Sequence, residues 1–259
     1  MKQPIASDAA LEILAALDPS STAFLFDVDG TLIDIGPSPF EVHVSDALKD
    51  SLHQLFRETN GALALVSGRP IRDLDLLFKP LMLPAIGGHG AETRTTKGTA
   101  ISKVENLSEA LRKQLVSAAT PGSGIEVEDK GYSVALHYRK APKQAEALRR
   151  HVAIARAAFP AEATELLLGK AMFEVKRPGI NKGDAIRVLM EHLPFAGRTP
   201  VFFGDDVTDE SAFKAMPEFG GKGFGVGRGF PGMAGIFASP ADVRGALQRL
   251  AAREREPRA

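Results

Sequence analysis

Phe24-Leu25-Phe26-Asp27-Val28-Asp29-Gly30-Thr31-Leu32 carries two carboxylates, one residue apart, from the end of an apolar run into a glycine turn. Ala23 to Phe26 is a short continuous apolar run, the pattern of a parallel strand covered on both faces. Gly30 marks where the chain must turn. Asp27 then falls at the strand's carboxyl end, where open α/β sheets place their chemistry. An aspartate at a strand end also serves simply to start a turn, so this stretch takes its meaning from the segments around it.

Outward from it, apolar runs alternate with amphipathic helical segments, the sign of βαβ units. Residues 45–58 carry Ala47, Leu48, Leu52, Leu55 and Phe56 at helical spacing, and Ala62-Leu63-Ala64-Leu65-Val66 reads as a second buried strand ending at Ser67-Gly68-Arg69. Leu74, Leu77 and Phe78 mark a helix before Pro80, and Pro84-Ala85-Ile86 is a third strand running into Gly87-Gly88-His89-Gly90-Ala91-Glu92. The pattern then changes. Residues 124–131 and 132–139 predict paired antiparallel strands about a short turn, flanked by helices over 107–118 and 142–158.

Beyond these, Phe173-Glu174-Val175-Lys176 alternates as a strand of the resumed parallel pattern. Gly179-Ile180-Asn181-Lys182-Gly183 opens a helix with Asn181 as N-cap and Ala185, Ile186, Val188, Leu189 and Leu193 on its apolar face. Thr199-Pro200-Val201-Phe202-Phe203 is the next buried strand, ending in Gly204-Asp205-Asp206-Val207-Thr208-Asp209-Glu210, where four acids crowd one turn. A last strand at 223–226 and a helix from 241 to 253 follow, with a charged tail over 253–259 expected to fray. The expected fold class is α/β: a Rossmann-like, doubly wound parallel sheet core from residues 1–92 and 173–259, with an inserted α+β cap domain at 93–172.

Composition agrees with an enzyme. Lys plus Arg and Asp plus Glu are both 32 in 259 residues, so no excess positive field recruits nucleic acid or an anionic membrane. Hydrophobic residues, at 44%, suffice for a core. The absence of cysteine excludes disulfides and thiolate metal sites. The first residues lack an apolar signal region and no run approaches a membrane span, so a cytoplasmic location is expected. The histidines share no metal-ligand spacing, and His43, His53, His151 and His192 read as surface or packing residues. Gly223-Phe224-Gly225-Val226-Gly227 lacks the helix start and downstream acid of a dinucleotide site.

The chemistry lies at the strand ends. Two like charges about 4 Å apart repel by roughly 4 kcal/mol at the effective dielectric near a protein surface, so Asp27, Asp29 and Asp205 cannot gather unneutralised. A divalent cation is implied, and ligands limited to carboxylate and carbonyl oxygen suit Mg²⁺. Lys182 at a helix start, and Ser67 with backbone amides at a strand-to-helix junction, are anion donors. Each also has a plainer reading: Ser67 as a cap, Lys182 as an exposed first-turn lysine, and Asp206, Thr208 and Asp209 as N-cap and first-turn residues.

In chain order, Asp27-Val28-Asp29-Gly30-Thr31, Ser67, Lys182 and Gly204-Asp205-Asp206 with Asp209 resemble the four motifs of the haloacid dehalogenase superfamily of phosphohydrolases. That resemblance implies that Asp27 attacks phosphorus to form an aspartyl-phosphate, while Asp29 protonates the leaving oxygen and then accepts a proton from water. It implies Mg²⁺ held by Asp27, the backbone carbonyl of Asp29, and Asp205. Ser67 and Lys182 would complete the phosphate cradle, with Asp206 and Asp209 behind the ligands and Asp209 orienting Lys182 or the metal's waters.

Gly88-His89-Gly90-Ala91-Glu92, the long insertion, Asn181-Lys182-Gly183, Ala135-Leu136-His137-Tyr138-Arg139 and Gly197-Arg198-Thr199-Pro200-Val201-Phe202 are similar to the trehalose-6-phosphate phosphatase family. The similarity implies hydrolysis of trehalose 6-phosphate, a functional link to a trehalose-phosphate synthase, and sugar recognition in the cap by Glu128, Lys130 and Glu174. Carboxylates accept from vicinal hydroxyls while an ammonium donates; the alternative for these three is a solvated hairpin face. Asp27, Val28, Asp29 and His89 complete the expected substrate contacts. Arg139 and Lys176 stand open between phosphate and hinge roles, with hinges expected at 92–98 and 171–179. A phosphatase for another sugar phosphate such as sucrose 6-phosphate, a phosphohexomutase and a non-catalytic sugar-phosphate sensor are the competing functions. The Gly-Asp-Asp-Val-Thr-Asp-Glu run departs from the usual mutase form, and the presence of Asp27, Asp29, Lys182 and Asp205 disfavours a sensor.

Overall fold

Strand β1 (Thr22–Phe26) is buried at all five positions, which requires a place in mid-sheet with cover on both faces. It pairs in parallel with β2 (Leu63–Val66) on one side and β10 (Thr199–Gly204) on the other. The computed structural model describes residues 7–36, 42–96, 99, 102–169 and 171–252. Beyond β2 lie β3 (Ala85–Gly87), then β4 (Glu92–Arg94), antiparallel, and β5 (Ser102–Lys103). Beyond β10 lie β11 (Lys222–Val226) and β12 (Gly235–Phe237), both parallel.

Side-chain alternation along the strands feeds two layers. Phe24 and Phe26 pack with helices α1 (Ser7–Ala15), α2 (Asp46–Glu58) and α8 (Pro240–Ala252), joined by Ile71 and Leu74 of α3 (Ile71–Leu77). Ala23 and Leu25 face the opposite layer, with α6 (Lys182–Met190) and α7 (Glu210–Ala215). A row of rings crosses the strands in register: Phe26 lies 4.8 Å from Phe203, and Phe203 5.2 Å from Phe224. Such ring pairs contribute about 0.5–1.5 kcal/mol beyond area burial, and this row ties β1, β10 and β11 together, one residue before Asp27 on β1 and two before Asp205 on β10.

Residues 1–102 and 181–259 form one compact unit and residues 103–180 a second. The second has an antiparallel sheet of β6 (Glu126–Asp129), β7 (Ser133–His137), β8 (Glu165–Gly169) and β9 (Met172–Lys176), in the order β6-β7-β9-β8. Val134, Leu136, Phe173 and Val175 pack from one sheet face onto Leu111 and Leu115 of α4 (Glu109–Val116) and Leu148 and Val152 of α5 (Ala145–Ala157).

The structure moves the boundaries expected at 92/93 and 172/173. Phe173 to Lys176, assigned above to the core, is β9, which pairs with β7 and β8 and completes the second unit's own hydrophobic core. Part of each expected hinge stretch is strand. Glu92 to Arg94 is a strand, with buried Arg94 bonded to Asp75 and to the Leu83 carbonyl, and Met172 to Lys176 is an interior strand. Lys97, Gly98 and the charged tail 253–259 lie outside the described residues. Among the described residues, no helix is long and apolar enough to cross a membrane.

Candidate active site

Asp27 follows β1 directly, and its N–H donates to the Phe203 carbonyl at 2.9 Å, extending the β1–β10 ladder by one bond. The chain then turns tightly, with the Val28 carbonyl accepting from the N–H groups of Thr31, Leu32 and Ile33. The neighbouring strand β10 ends at Gly204, so Asp205 arrives beside that turn. Gly30, at φ +87°, leaves the room it needs, since a Cβ there would lie 2.5 Å from Asp205 Cγ. Thr31 Oγ1 donates to Asp205 Oδ1 at 3.4 Å.

Lys182, at the first turn of α6, joins these segments. Its Nζ lies 2.6 Å from both Asp27 Oδ1 and Asp209 Oδ1, and all three side chains are buried. Asp209 uses its other oxygen to accept the Asp205 and Asp206 N–H groups, each at 3.0 Å, so it ties the acidic turn to the lysine. Gly204 makes that possible; a Cβ there would lie 2.6 Å from Asp209 Cγ. The helix start is itself set by Asn181, whose side chain accepts the Asp184 N–H.

Electrostatics follow from crowding. Burial pushes the Asp27 carboxyl well above the usual range; Lys182 pulls it down, while Asp209 and Asp205 add to the rise. Asp205 is pushed up to about 6, by burial first and by Asp209 second. For Lys182, burial alone would favour the neutral amine, but Asp209 and Asp27 outweigh it and hold the ammonium above its ordinary value. Asp27, Asp205 and Asp209 bring carboxylate oxygens within 4.8 Å of one another. When ionised, the three carboxylates exceed the one Lys182 ammonium by two negative charges, in an all-oxygen donor set. A hard divalent cation fits both the charge and the donors.

Two further groups stand at neighbouring strand ends. Arg69, just beyond β2, holds Asp29 with two bonds, Nε to Oδ2 at 2.7 Å and Nη2 to Oδ1 at 2.6 Å. Buried Ser67 accepts the Arg69 N–H at 3.1 Å, and its hydroxyl retains a proton to donate. His89, at φ +57°, follows β3 and donates its N–H to the Ser67 carbonyl.

The second unit carries its own charged group. Lys130 Nζ lies 3.4 Å from Glu174 Oε1 and 3.6 Å from Glu128 Oε2, and Ser133 Oγ donates to Glu174 at 2.7 Å. Burial tends to raise the Glu128 carboxyl, but His137, whose Nε2 lies 3.9 Å away, and the Lys130 charge together hold it below the ordinary range.

A family model described as "Trehalose-phosphatase" matches residues 25–229, a span holding every residue of both groups. The chain belongs to the trehalose-phosphatase family. It is a phosphatase. It is 39% identical to the trehalose-6-phosphate phosphatase of Escherichia coli (strain K12), over 88% of this chain and 86% of that protein. It is 38% identical to a probable trehalose-phosphate phosphatase of Sinorhizobium fredii (strain NBRC 101917 / NGR234), over 95% of each chain. Among solved structures, a trehalose-6-phosphate phosphatase related protein superposes with a TM-score of 0.72 at 25% identity, covering 91% of this chain and all of that one. The C-terminal domain of the C. albicans trehalose-6-phosphate phosphatase shares the fold, with a TM-score of 0.77 at 21% identity over 97% of this chain and 99% of that one.

In this trehalose-phosphatase family member, the structure brings Asp27, Asp205, Asp209 and Lys182 into one cluster, and Glu128, Lys130 and Glu174 into another. Lys182 is buried between two carboxylates, not an exposed first-turn lysine. Asp206, expected behind the metal ligands, is exposed and caps the following turn through the Val207 N–H at 2.7 Å. Lys176 braces its own strand end, bonding Glu165 and the Ile180 carbonyl. The residue the sequence reading missed is Arg69. Its signal was its place directly after Ser67-Gly68 at a buried strand's carboxyl end.

Proposed function

We propose that this phosphatase hydrolyses trehalose 6-phosphate to trehalose and inorganic phosphate, with Mg²⁺, through an aspartyl-phosphate on Asp27. The observation that carries this reading is the buried Lys182 ammonium bonded at 2.6 Å to both Asp27 and Asp209, with Asp205 admitted beside Gly30. A carboxylate so placed at a strand end, opposite a fixed cation, is arranged for attack on an anionic ester.

In the first step, an Asp27 carboxylate oxygen bonds to phosphorus, the bond from phosphorus to the sugar oxygen breaks, and Asp29 gives that oxygen a proton. In the second, Asp29 takes a proton from water, whose oxygen bonds to phosphorus and frees both phosphate and Asp27. Ser67 and Lys182 bind the phosphoryl oxygens. Asp27 and Asp205 carboxylates and the Asp29 carbonyl would hold Mg²⁺, which when bound supplies positive charge opposite the transferring group. Glu128, Lys130 and Glu174 read the sugar hydroxyls, a task for which paired acceptors and a charged donor are suited.

The test is phosphate release, with and without Mg²⁺, from trehalose 6-phosphate, glucose 6-phosphate and sucrose 6-phosphate. Preferential, Mg²⁺-dependent release from the first is expected, and preference for either other ester would reassign the substrate. Asp27→Asn, whose amide is a poor nucleophile, should abolish release while keeping the fold; substantial residual turnover rejects covalent catalysis at Asp27.

A further inference from the structure

Arg69 meets Asp29 with its fork, the arginine 15% and the aspartate 36% exposed in their side chains. Two parallel bonds from a planar guanidinium fix the plane and direction of a carboxylate, which a single point charge does not. The loop that carries Arg69 is braced in turn by residues 88–92. Gly88 N–H donates to the Arg69 carbonyl and His89 N–H to the Ser67 carbonyl, each at 2.9 Å. Buried Glu92 accepts the Ile71 N–H through Oε2 at 2.6 Å. His89 covers Gly68 so closely that a Cβ on that glycine would lie 2.5 Å from His89 Cε1. His89 itself adopts a left-handed backbone, which a non-glycine residue keeps only when its surroundings hold it there.

Attack by Asp27 on phosphorus asks nothing of this arrangement, whereas proton transfer by Asp29 does. A proton donor must lie within hydrogen-bond reach of its acceptor, and a misplacement of about 1 Å costs on the order of 10²-fold. We propose that Arg69, braced by residues 88–92, is a positioning residue that aims the Asp29 carboxylate for proton transfer to and from the ester and water oxygens. The inference rests on the reading of Asp29 as acid and base given above.

The experiment compares hydrolysis of trehalose 6-phosphate by the full chain and by Arg69→Ala, Arg69→Lys and Asp29→Asn. Each is assayed with and without guanidinium chloride at sub-denaturing concentration, with sodium chloride at matched ionic strength, and circular dichroism checks folding. Arg69→Ala is expected to lose about 10²-fold in kcat with KM little changed. Arg69→Lys, which keeps the charge but not the fork, is expected to recover only a fraction. Guanidinium, but not sodium, should restore kcat to Arg69→Ala. A kcat equal to the parent's, or a loss in folded Arg69→Ala that guanidinium does not restore, overturns the inference; Arg69→Gln takes the same test if the alanine variant does not fold. Asp29→Asn separates the two readings. If it is inactive while Arg69→Ala is fully active, only the positioning role falls; if it keeps its turnover, the acid–base role falls and the inference with it.

Discussion

Gly30 and Asp205 occupy each other's space: the missing side chain of one is where the carboxylate of the other sits, with a Gly30 Cβ placed 2.5 Å from Asp205 Cγ. The contact joins the turn after β1 to the turn after β10, 175 residues apart in number, and it depends on an atom the sequence omits. Gly30 also has φ +87°, which a side chain disfavours regardless of space.

Gly30→Ala should therefore act twice. Backbone strain of about 1–3 kcal/mol lowers stability in denaturant titration, and displacement of Asp205 lowers Mg²⁺-supported phosphate release by about 10²-fold. Unchanged release would show that Asp205 need not approach the Asp27 turn.

Lys182→Met tests the buried pair. The ammonium is 2% exposed and neutralises Asp27 and Asp209, which are 6% and 0% exposed in their side chains. Removing one partner of a buried ion pair costs roughly 3–5 kcal/mol because the other charge is left uncompensated. Chemical denaturation should register a loss of that size together with lost turnover, and a stable, inactive variant would mean that the acids protonate at little cost.

Cation binding should depend on pH in a stated direction. Asp205 titrates near 6 in the folded chain against an ordinary 3.8, so between those values the folded state binds more protons than the unfolded one. Without a cation, this group's contribution to stability falls as pH rises through that window. Mg²⁺ bound to the folded state offsets the loss by mass action, so its effect on Tm should be larger at about pH 7 than at about pH 5. A shift of equal size at both would remove Asp205 from the ligand set.

Much of this site was legible because its residues sit where strands end. Ala23 to Phe26 and Val201 to Phe203 are apolar runs that must be buried, so Asp27 and Asp205 had to emerge at the same edge of one parallel sheet. What escaped reading had weaker local signals. Strand β12 is three residues long, too short to display alternation, and β8 is an edge strand whose Leu168 remains 63% exposed. The strand β9 looked like core because Phe173 and Val175 alternate with Glu174 and Lys176 just ahead of the Lys182 helix, but alternation does not reveal which hydrophobic cluster receives the apolar residues. Arg69 was missed because a guanidinium's partner is fixed by the fold, 40 residues away in the chain.

Lys130→Ala bears on sugar recognition. Lys130 is 7% exposed in its side chain and faces Glu128 and Glu174, both acceptors, so it is the charged donor of the second unit's group. Hydrogen bonds to charged groups contribute about 1.5–3 kcal/mol, which corresponds to roughly 10–100-fold in kcat/KM for a substrate whose hydroxyls they hold. A small ester such as p-nitrophenyl phosphate has no sugar for them to hold. The variant should therefore lose that factor on trehalose 6-phosphate and little on the small ester. Because Glu128 and Glu174 would be left without their shared ammonium, a thermal melt must accompany the assay; a folded variant with equal losses on both substrates would mean that Lys130 stabilises the sheet and reads no sugar.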